Sequence, residues 1–297
     1  MQKLSTGVYG LNKLIGGGIN LNSTTVLIGG SGAGKTTFAL QFLRRGLELG
    51  EDGIFITLDE APKQLLRKAI SMGWTDAEKH LEQGSFIFVD AGGKQFKDFI
   101  KHELANFVRD WEGHKARIVI DPLTPVMWSV QEKYEQRDIV SFLLRSTRKI
   151  GTVLCTLEEH GVLGDLSTPE IAIPMYLADN VVHLRYASTE NPESRELKIV
   201  KSRMSPHSKF SHPYNISPGV GMVVKRVDEN EKDDFKGEDV EAVFKKMLRE
   251  LPKGRFQGLK STERKNISRT VKAMAQGDKN EDPKEVLELI FQEYGLL

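Results

Sequence analysis

Short apolar runs alternate along most of the chain with segments in which apolar residues recur at helical spacing. Runs such as Ile118–Ile120 are continuously apolar, which is typical of parallel strands covered on both faces. The pattern predicts strands at residues 24–29, 53–58, 85–89, 116–120, 151–156, 180–185 and 195–200. It predicts intervening helices that include residues 35–49, 62–72, 95–111 and 135–149. This alternation favours an α/β fold with a central, mostly parallel sheet flanked by helices.

The pattern changes at a polar linker, residues 228–234, after which only helical periodicity is found. We call residues 229–297 the tail. Its first predicted helix carries one apolar stripe at 3.6-residue spacing, formed by Val240, Val243, Phe244, Met247, Leu248 and Leu251. A second helix is predicted over about residues 261–275, and a third begins at Asp282, an N-cap followed by proline at the first helical position. We therefore predict two domains, residues 1–228 and a small helical appendage at residues 229–297.

The segment between the first predicted strand and its helix, Gly29–Thr36, fits the phosphate-binding pattern GxxxxGK[ST]. Its glycines allow successive backbone N–H groups to curl around an anion, and the amino end of the helix adds its positive dipole. Lys35 would bridge the β- and γ-phosphates of ATP, and the Thr36 hydroxyl would hold Mg²⁺. An ordinary glycine turn is the alternative, but the flanking strand and helix favour a binding site. The predicted nucleotide-binding residues are Gly30, Ser31, Gly32, Ala33, Gly34, Lys35, Thr36 and Thr37.

Two other predicted strands end in carboxylates that ATP hydrolysis would need. Asp121 closes a buried strand and is predicted to bind Mg²⁺ together with Thr36. Asp59 and Glu60 follow another strand, and one of them would orient or deprotonate the attacking water while the other supports it. Taken alone, such an acidic pair is usually only the solvated start of a loop, so its interpretation depends on the phosphate loop.

The composition indicates the cellular location of the protein more clearly than its biochemical activity. The 297-residue chain has a formal net charge of +1, so no global field attracts nucleic acid or anionic lipid. No apolar run approaches the ~20 residues that a membrane helix needs, and the amino terminus lacks the features of a secretory signal. The single cysteine, Cys155, lies in a predicted buried strand and is interpreted as a core thiol. These features predict a cytoplasmic protein that does not bind membranes.

Ordered motifs across roughly residues 1–225 resemble the KaiC branch of the RecA superfamily. The matching segments are residues 4–18, 29–37, 55–62, 72–74, 119–124, 178–185 and 196–207. The resemblance implies a RecA-like P-loop core that hydrolyses ATP to ADP and phosphate with Mg²⁺. It also implies assembly into a homo-oligomeric ring, often a hexamer, with ATP bound between subunits. The motifs do not indicate which process or molecule the ATPase serves. Our leading interpretation is a role in signalling or regulation through unidentified protein partners.

In this family the acidic pair after the second strand supplies the catalytic carboxylate, and two glutamates are usual. This chain has Asp59 and Glu60, so the resemblance predicts either slow hydrolysis with the shorter Asp59 as base or transfer of that role to Glu60. The family also sends a Lys-x-Arg pair into the neighbouring subunit's γ-phosphate, and Lys201 and Arg203 match it. Alternation along a strand places both cations on one face. Without the family pattern, they would be read as a solvated strand face.

Two alternatives stay open. The first is a nucleotide-switched scaffold with little turnover. The second is a recombination-type ATPase that binds DNA, which we disfavour because the segments that would line a ring pore, residues 122–136 and 158–170, carry more acids than cations. The second tail helix argues in favour of DNA binding, because this helix and the segment before it are rich in cations. Such a run is, however, more often a solvated helix face. These cations are Lys253, Arg255, Lys260, Arg264, Lys265, Arg269 and Lys272.

Overall fold

A nine-stranded sheet lies at the centre of the protein. The structure is a computed structural model that describes residues 2–92, 96, 99–160, 164–186, 194–225, 239–276 and 282–297. The strands are Lys3–Leu4 (β1), Ile19–Asn20 (β2), Thr24–Gly29 (β3), Asp52–Thr57 (β4), Phe86–Asp90 (β5), Ala116–Asp121 (β6), Gly151–Glu158 (β7), Asn180–Tyr186 (β8), Arg195–Ser202 (β9), Ser211–Ser217 (β10) and Gly221–Val224 (β11). The sheet order is β11-β10-β9-β8-β3-β7-β6-β4-β5, and β1 pairs with β2 separately.

Strands β8 to β5 in that order are parallel, and β9, β10 and β11 add an antiparallel extension beside β8. The helices are Leu11–Leu14 (α1), Lys35–Leu49 (α2), Pro62–Ser71 (α3), Asp76–Glu82 (α4), Leu104–Trp111 (α5), Thr124–Trp128 (α6), Lys133–Thr147 (α7), Pro169–Leu177 (α8), Val240–Glu250 (α9), Ser261–Gln276 (α10) and Pro283–Glu293 (α11). A π-helical turn, Phe99–Glu103, leads into α5.

The inner parallel strands β3, β4, β6 and β7 are buried on both faces because helices cover both sides of the sheet. In β3, Leu27 packs with α2, α3 and α4 on one side, while Val26 and Ile28 pack with α5 to α8 on the other. This alternation follows from the two-residue period of a strand. It explains why the centres of β3 (Val26–Ile28) and β6 (Ile118–Ile120) are apolar without interruption. The predicted α/β fold with a mostly parallel sheet is confirmed.

All the strands predicted from the sequence are present, each within two residues of its predicted ends, and α2 has the predicted bounds. The prediction missed β10 and β11, because Pro213 lies within β10 and glycine begins β11, and both residues argue against a strand. It also missed the short elements α1, α4, α6, α8, β1 and β2. The helix predicted over residues 95–111 is confirmed in its described portion, which contains the π-helical turn before α5.

The tail forms the three predicted helices, α9 to α11. Val243 and Met247 from the predicted stripe are buried, together with Ile267 of α10 and Phe291 of α11. This cluster also includes Tyr9, Val220 and Val223, so the tail packs on the antiparallel edge of the sheet. The predicted linker at residues 228–234 lies outside the described residues, and the two-domain division stays a prediction.

Cys155 is fully buried in β7, and burial raises the pKa of its thiol, as expected for a core residue. None of the described helices combines the length and hydrophobicity that crossing a bilayer would require. The cytoplasmic location stays a prediction.

Candidate functional site

The glycine-rich loop joins β3 to α2 at the carboxyl edge of the parallel strands. Gly32 and Gly34 have φ angles of +76° and +91°, in the left-handed region that favours glycine. A Cβ atom at Gly34 would lie 2.3 Å from Ile216 Cδ1 of β10, so a side chain there would also clash. Gly34 is the N-cap of α2 and provides no side-chain hydrogen bond. The first N–H groups of this 15-residue helix are therefore arranged for an anion rather than for a capping side chain.

Lys35, the first residue of α2, reaches back over the loop. Its Nζ donates hydrogen bonds to the carbonyl oxygens of Gly29 and Gly30, at 2.8 and 2.9 Å. Burial lowers the pKa of Lys35, while the carboxylates of Glu158, Asp121 and Glu159 act in the opposite direction. The ammonium group is thus held at the loop, where the terminal phosphates of a nucleotide would lie.

Thr36 and Asp121 meet although they are 85 residues apart in the sequence. Thr36 Oγ1 donates to Asp121 Oδ2 at 2.9 Å, and Thr156 Oγ1 donates to the other carboxylate oxygen. Burial raises the pKa of Asp121, and the hydrogen bonds from Thr156 and Thr36 and the charge of Lys35 oppose that rise. A hydroxyl and a carboxylate are oxygen ligands of the kind that Mg²⁺ prefers, so the residues fit this ion.

Asp59 and Glu60 lie just beyond β4, and the structure separates their environments. The Glu60 carboxylate pairs with Lys68 of α3 at 2.6 Å, and its backbone carbonyl accepts a hydrogen bond from Thr57 Oγ1 at 2.5 Å. Asp59 is exposed, and its carboxylate has no hydrogen bond or ion pair with any described residue. Glu60 is close enough to Asp121 to contribute to raising its pKa. The pair therefore consists of one tethered and one free carboxylate.

A third acidic group was missed by the sequence analysis. Glu158 ends β7 and Glu159 follows it, although both were assigned to a pore-lining loop. Glu159 Oε2 lies 3.1 Å from Nε2 of His183 on β8, and both side chains are almost completely buried. The Glu159 backbone N–H donates to the Gly29 carbonyl at 3.1 Å, so this pair braces the strand that leads into the phosphate loop. The run of acids at another strand end was a signal that could have been used.

The antiparallel extension also supports the loop. Tyr214 of β10 is buried, and its hydroxyl donates to the Ala33 carbonyl at 2.6 Å. Tyr186, the last residue of β8, places its hydroxyl 2.8 Å from where a Cβ of Gly32 would be. Neither tyrosine belongs to a recognisable motif, because the loop that they contact is more than 150 residues away in the sequence.

Lys201 and Arg203 are not brought to the phosphate loop of their own chain. Lys201 pairs with Val181 near the amino end of β8, whereas the loop follows the carboxyl end of the neighbouring β3. Lys201 Nζ donates to the carbonyls of Met175 and Ala178 at 2.8 and 2.7 Å, and Arg203 donates to the Tyr176 carbonyl at 3.1 Å. In this chain both cations therefore cap the carboxyl end of α8.

The segments predicted to line a ring pore differ from open loops. Residues 122–136 contain α6 and the start of α7, which leaves a short turn between them. Trp128 at the end of α6 is 57% exposed and its ring lies 5.2 Å from that of His160. Residues 161–163 of the second segment lie outside the described residues.

A family model for the KaiC ATPase matches residues 4–229. The chain belongs to the KaiC family of ATPases. The circadian clock protein KaiC3 of a Synechocystis strain is 29% identical over 235 residues, which cover 75% of this chain and 46% of that protein. A UPF0273 protein of Pyrococcus furiosus is 28% identical over 233 residues, covering 73% of this chain and 92% of that protein. The chain thus spans less than half of the clock relative and nearly all of the archaeal one.

Among solved structures, a KaiC-like protein of the hyperthermophilic archaeon Pyrococcus horikoshii superposes with a TM-score of 0.62 at 31% identity. The match covers 76% of this chain and 99% of that one. The predicted KaiC-like, RecA-type P-loop core is therefore confirmed, and the residues beyond 229 lie outside the KaiC family match. The roles assigned to individual site residues stay predictions.

Proposed function

We propose that this KaiC-family protein binds ATP with Mg²⁺ and hydrolyses it slowly to ADP and phosphate between the subunits of a ring. The observation that carries the proposal is the convergence of Lys35, Thr36 and Asp121 at the loop between β3 and α2. Backbone N–H groups from Gly30 to Thr37 would surround the phosphates, and Lys35 would exchange its carbonyl partners for phosphate oxygens. Thr36 and Asp121 would hold Mg²⁺, which neutralises charge on the β- and γ-phosphates when bound.

We assign the water-orienting role to Asp59. A general base needs a carboxylate that can accept a proton, and Asp59 has no partner among the described residues, whereas Glu60 is tethered to Lys68. The shorter side chain of Asp59 supports slow turnover, because it reaches about one methylene less far than glutamate. Lengthening it in Asp59→Glu is therefore expected to raise the rate of phosphate release. A rate that is unchanged or lowered would speak against this explanation of slow hydrolysis.

Lys201 and Arg203 support a shared site, since they lie at the opposite end of the sheet from their own phosphate loop. In a ring they would contact the γ-phosphate held by the neighbouring subunit, where arginine stabilises the charge that develops during transfer. Equal amounts of Lys35→Ala and Arg203→Ala subunits, each inactive alone, are expected to regain activity when mixed. A mixture of Lys35→Ala with Thr36→Ala is the control, because both changes damage the same loop and no intact shared site can form.

The direct test of the whole proposal is phosphate release by Lys35→Ala. We expect a loss of at least about 100-fold, because the variant lacks the cation at the terminal phosphates. Lys245→Ala, an exposed tail lysine, is the matched control and should retain activity. Undiminished release by Lys35→Ala would refute the assignment. Sizing with and without ATP then tests for a ring, since a shared site requires assembly and bound nucleotide would contact both subunits.

The nucleotide-switched scaffold is the second candidate, and the free but short Asp59 favours it. It predicts ATP-dependent assembly with turnover well below one per minute, a signalling or regulatory role, and protein partners that recognise the assembled state. Relatives in circadian clocks are consistent with regulation, although this chain covers less than half of the one described above.

A further inference from the structure

One face of α10 is strongly cationic and open to solvent. Side chains at helical spacing line a shallow groove along it, namely Ser261, Arg264, Lys265, Ser268, Arg269 and Lys272. The opposite face carries Ile267 and Val271, which are buried against the other tail helices. The packing of the tail therefore fixes which face is presented.

Among the described residues, few acids oppose these cations. Arg264, Lys265 and Lys272 form no ion pair within the described parts of the chain, and Arg269 lies 3.5 Å from Asp76 of α4. The acid of α10, Glu263, is buried on the other side of the helix, 3.2 Å from Arg45 of α2. Because Glu263 is buried, the side chains of α10 that line the groove are cations and serine hydroxyls, and Asp76 is the one acid paired with them among the described residues.

We propose that this face binds the phosphate backbone of nucleic acid without reading its sequence. Arginine, lysine and serine side chains are the usual donors to phosphate oxygens. Residues three or four apart on a helix lie roughly 5–6 Å from each other, which allows successive cations to contact successive phosphates. A docking surface for protein would have an apolar centre, and no large apolar side chain lines this groove. The proposal is independent of the ATPase proposal and uses the tail outside the KaiC family match.

The test is fluorescence anisotropy of the full chain with labelled single-stranded and duplex DNA and RNA of about 30 nucleotides. With three to four phosphates contacted, affinity for duplex is expected to fall about 40- to 150-fold between roughly 50 and 200 mM salt. The variant Arg264→Gln/Lys265→Gln/Lys272→Gln should weaken binding at least tenfold and reduce the slope of log affinity against log salt by about three. Arg269 is left in place because it pairs with Asp76.

The matched control is Lys245→Gln/Lys246→Gln/Arg249→Gln, which removes the same charge from an exposed part of α9. The control should bind nearly as well as the native chain, and Lys35→Ala should bind normally, since it damages only the nucleotide site. Circular dichroism verifies that each variant is folded. Equal weakening by both triple variants would overturn the proposal, as would absence of binding by the native chain at low salt.

Competition identifies the ligand class. Poly-glutamate of equal charge should displace the nucleic acid poorly, and vesicles containing phosphatidylserine should bind weakly. Displacement by poly-glutamate at equal charge concentration would instead assign the face to acidic polypeptides. Vesicle binding that is lost in the α10 variant, without binding of nucleic acid, would assign it to membranes. Either of these results would overturn the proposal.

Discussion

The two ends of helix α2 use charged residues in opposite ways. At its amino end, Lys35 bonds to loop carbonyls and Thr36 to Asp121, and under the proposed function a phosphate or a metal ion would replace these partners. In its last two turns, Arg45 and Glu48 are almost completely buried, pair with each other and bond to residues of the tail. The first arrangement is suited to binding a ligand. The second connects α2 permanently to the tail helices through Arg45, Glu48, Glu263 and Glu293, and we call this buried cluster the joint.

The joint is centred on Arg45. Its guanidinium lies 3.1 Å from Glu48, 3.2 Å from Glu263 of α10 and 3.6 Å from Glu293 of α11, and it stacks on Tyr294. Glu293 also accepts hydrogen bonds from the Gly7 N–H, Ser5 Oγ and Asn12 Nδ2, so the end of the chain is tied to its beginning. Charge alone therefore does not mark a functional site, and what distinguishes one is whether the partners of the charged groups are exchangeable.

Breaking the joint should have the largest effect on stability. In Arg45→Met, the carboxylates of Glu48, Glu263 and Glu293 lose their shared cation inside the protein. Removing one partner from a buried ionic cluster costs about 3–5 kcal/mol, and we expect a loss of unfolding free energy in this range. Urea denaturation measures it, with Arg249→Met as an exposed control. A loss below about 1 kcal/mol would show that the network is not a joint.

The buried cluster around Arg45 should also make the stability of the protein depend on pH, through Glu293. Burial raises the pKa of Glu293 from 4.5 to about 7, and Arg45, the Gly7 N–H and Arg117 oppose the rise while Glu48 adds to it. The folded protein then keeps a proton that the unfolded chain has released. Stability from this group is therefore complete below about pH 4.5 and falls as the pH rises to about 7, by about 3 kcal/mol.

Glu293→Gln tests this, because its side chain stays neutral at every pH. The variant should lose less stability than the native chain between about pH 5 and 8 in thermal or urea denaturation. Glu241→Gln, at an exposed position in α9, serves as the control and should follow the native profile. Identical profiles for native chain and Glu293→Gln would mean that Glu293 ionises in the fold as it does when unfolded.

At the phosphate loop, at the amino end of α2, the two acids after β4 should contribute unequally to the rate of hydrolysis. Asp59→Asn is expected to lower the rate of phosphate release by about 100-fold, because it removes the free carboxylate that we propose to orient water. Glu60→Gln should cost about tenfold or less, since Glu60 is tethered to Lys68 and acts as a support. Single-turnover hydrolysis measures both, and neither variant should change the unfolding free energy by more than about 1 kcal/mol. The reverse order of effects would transfer the base role to Glu60.

The same contrast explains what the sequence could predict. Helix α2 could be predicted, and the phosphate loop, Asp59 and Asp121 could be proposed as site residues, because each belongs to a local pattern at a strand end. The three tail helices were found because their stripes and caps are also local. The sheet order and the antiparallel strands β10 and β11 depend on contacts that no local pattern records.

Long-range partners were missed for that reason. The joint brings Arg45 to the Glu293 carbonyl across 248 residues, and Tyr214 reaches Ala33 across 181. Glu158 and Glu159 were read as part of an acidic loop, although one ends a strand and the other pairs with His183. Polar residues are assigned to the surface by default, so a buried polar network is the feature that sequence patterns reveal least.

The smallest expected effect comes from Thr156, whose hydroxyl contacts Asp121 rather than the phosphate loop itself. Thr156→Val keeps the shape of the side chain but removes the hydroxyl that donates to Asp121, so the pKa of Asp121 should rise further. Since metal binding requires the ionised carboxylate, we expect the Mg²⁺ concentration for half-maximal hydrolysis to increase about tenfold, equivalent to about 1.4 kcal/mol. The increase should be greater at lower pH, where protons compete more strongly for Asp121. Thr152→Val, also buried in β7 but bonded to the Asn22 N–H, is the control, and equal Mg²⁺ dependence in both variants would exclude this role for Thr156.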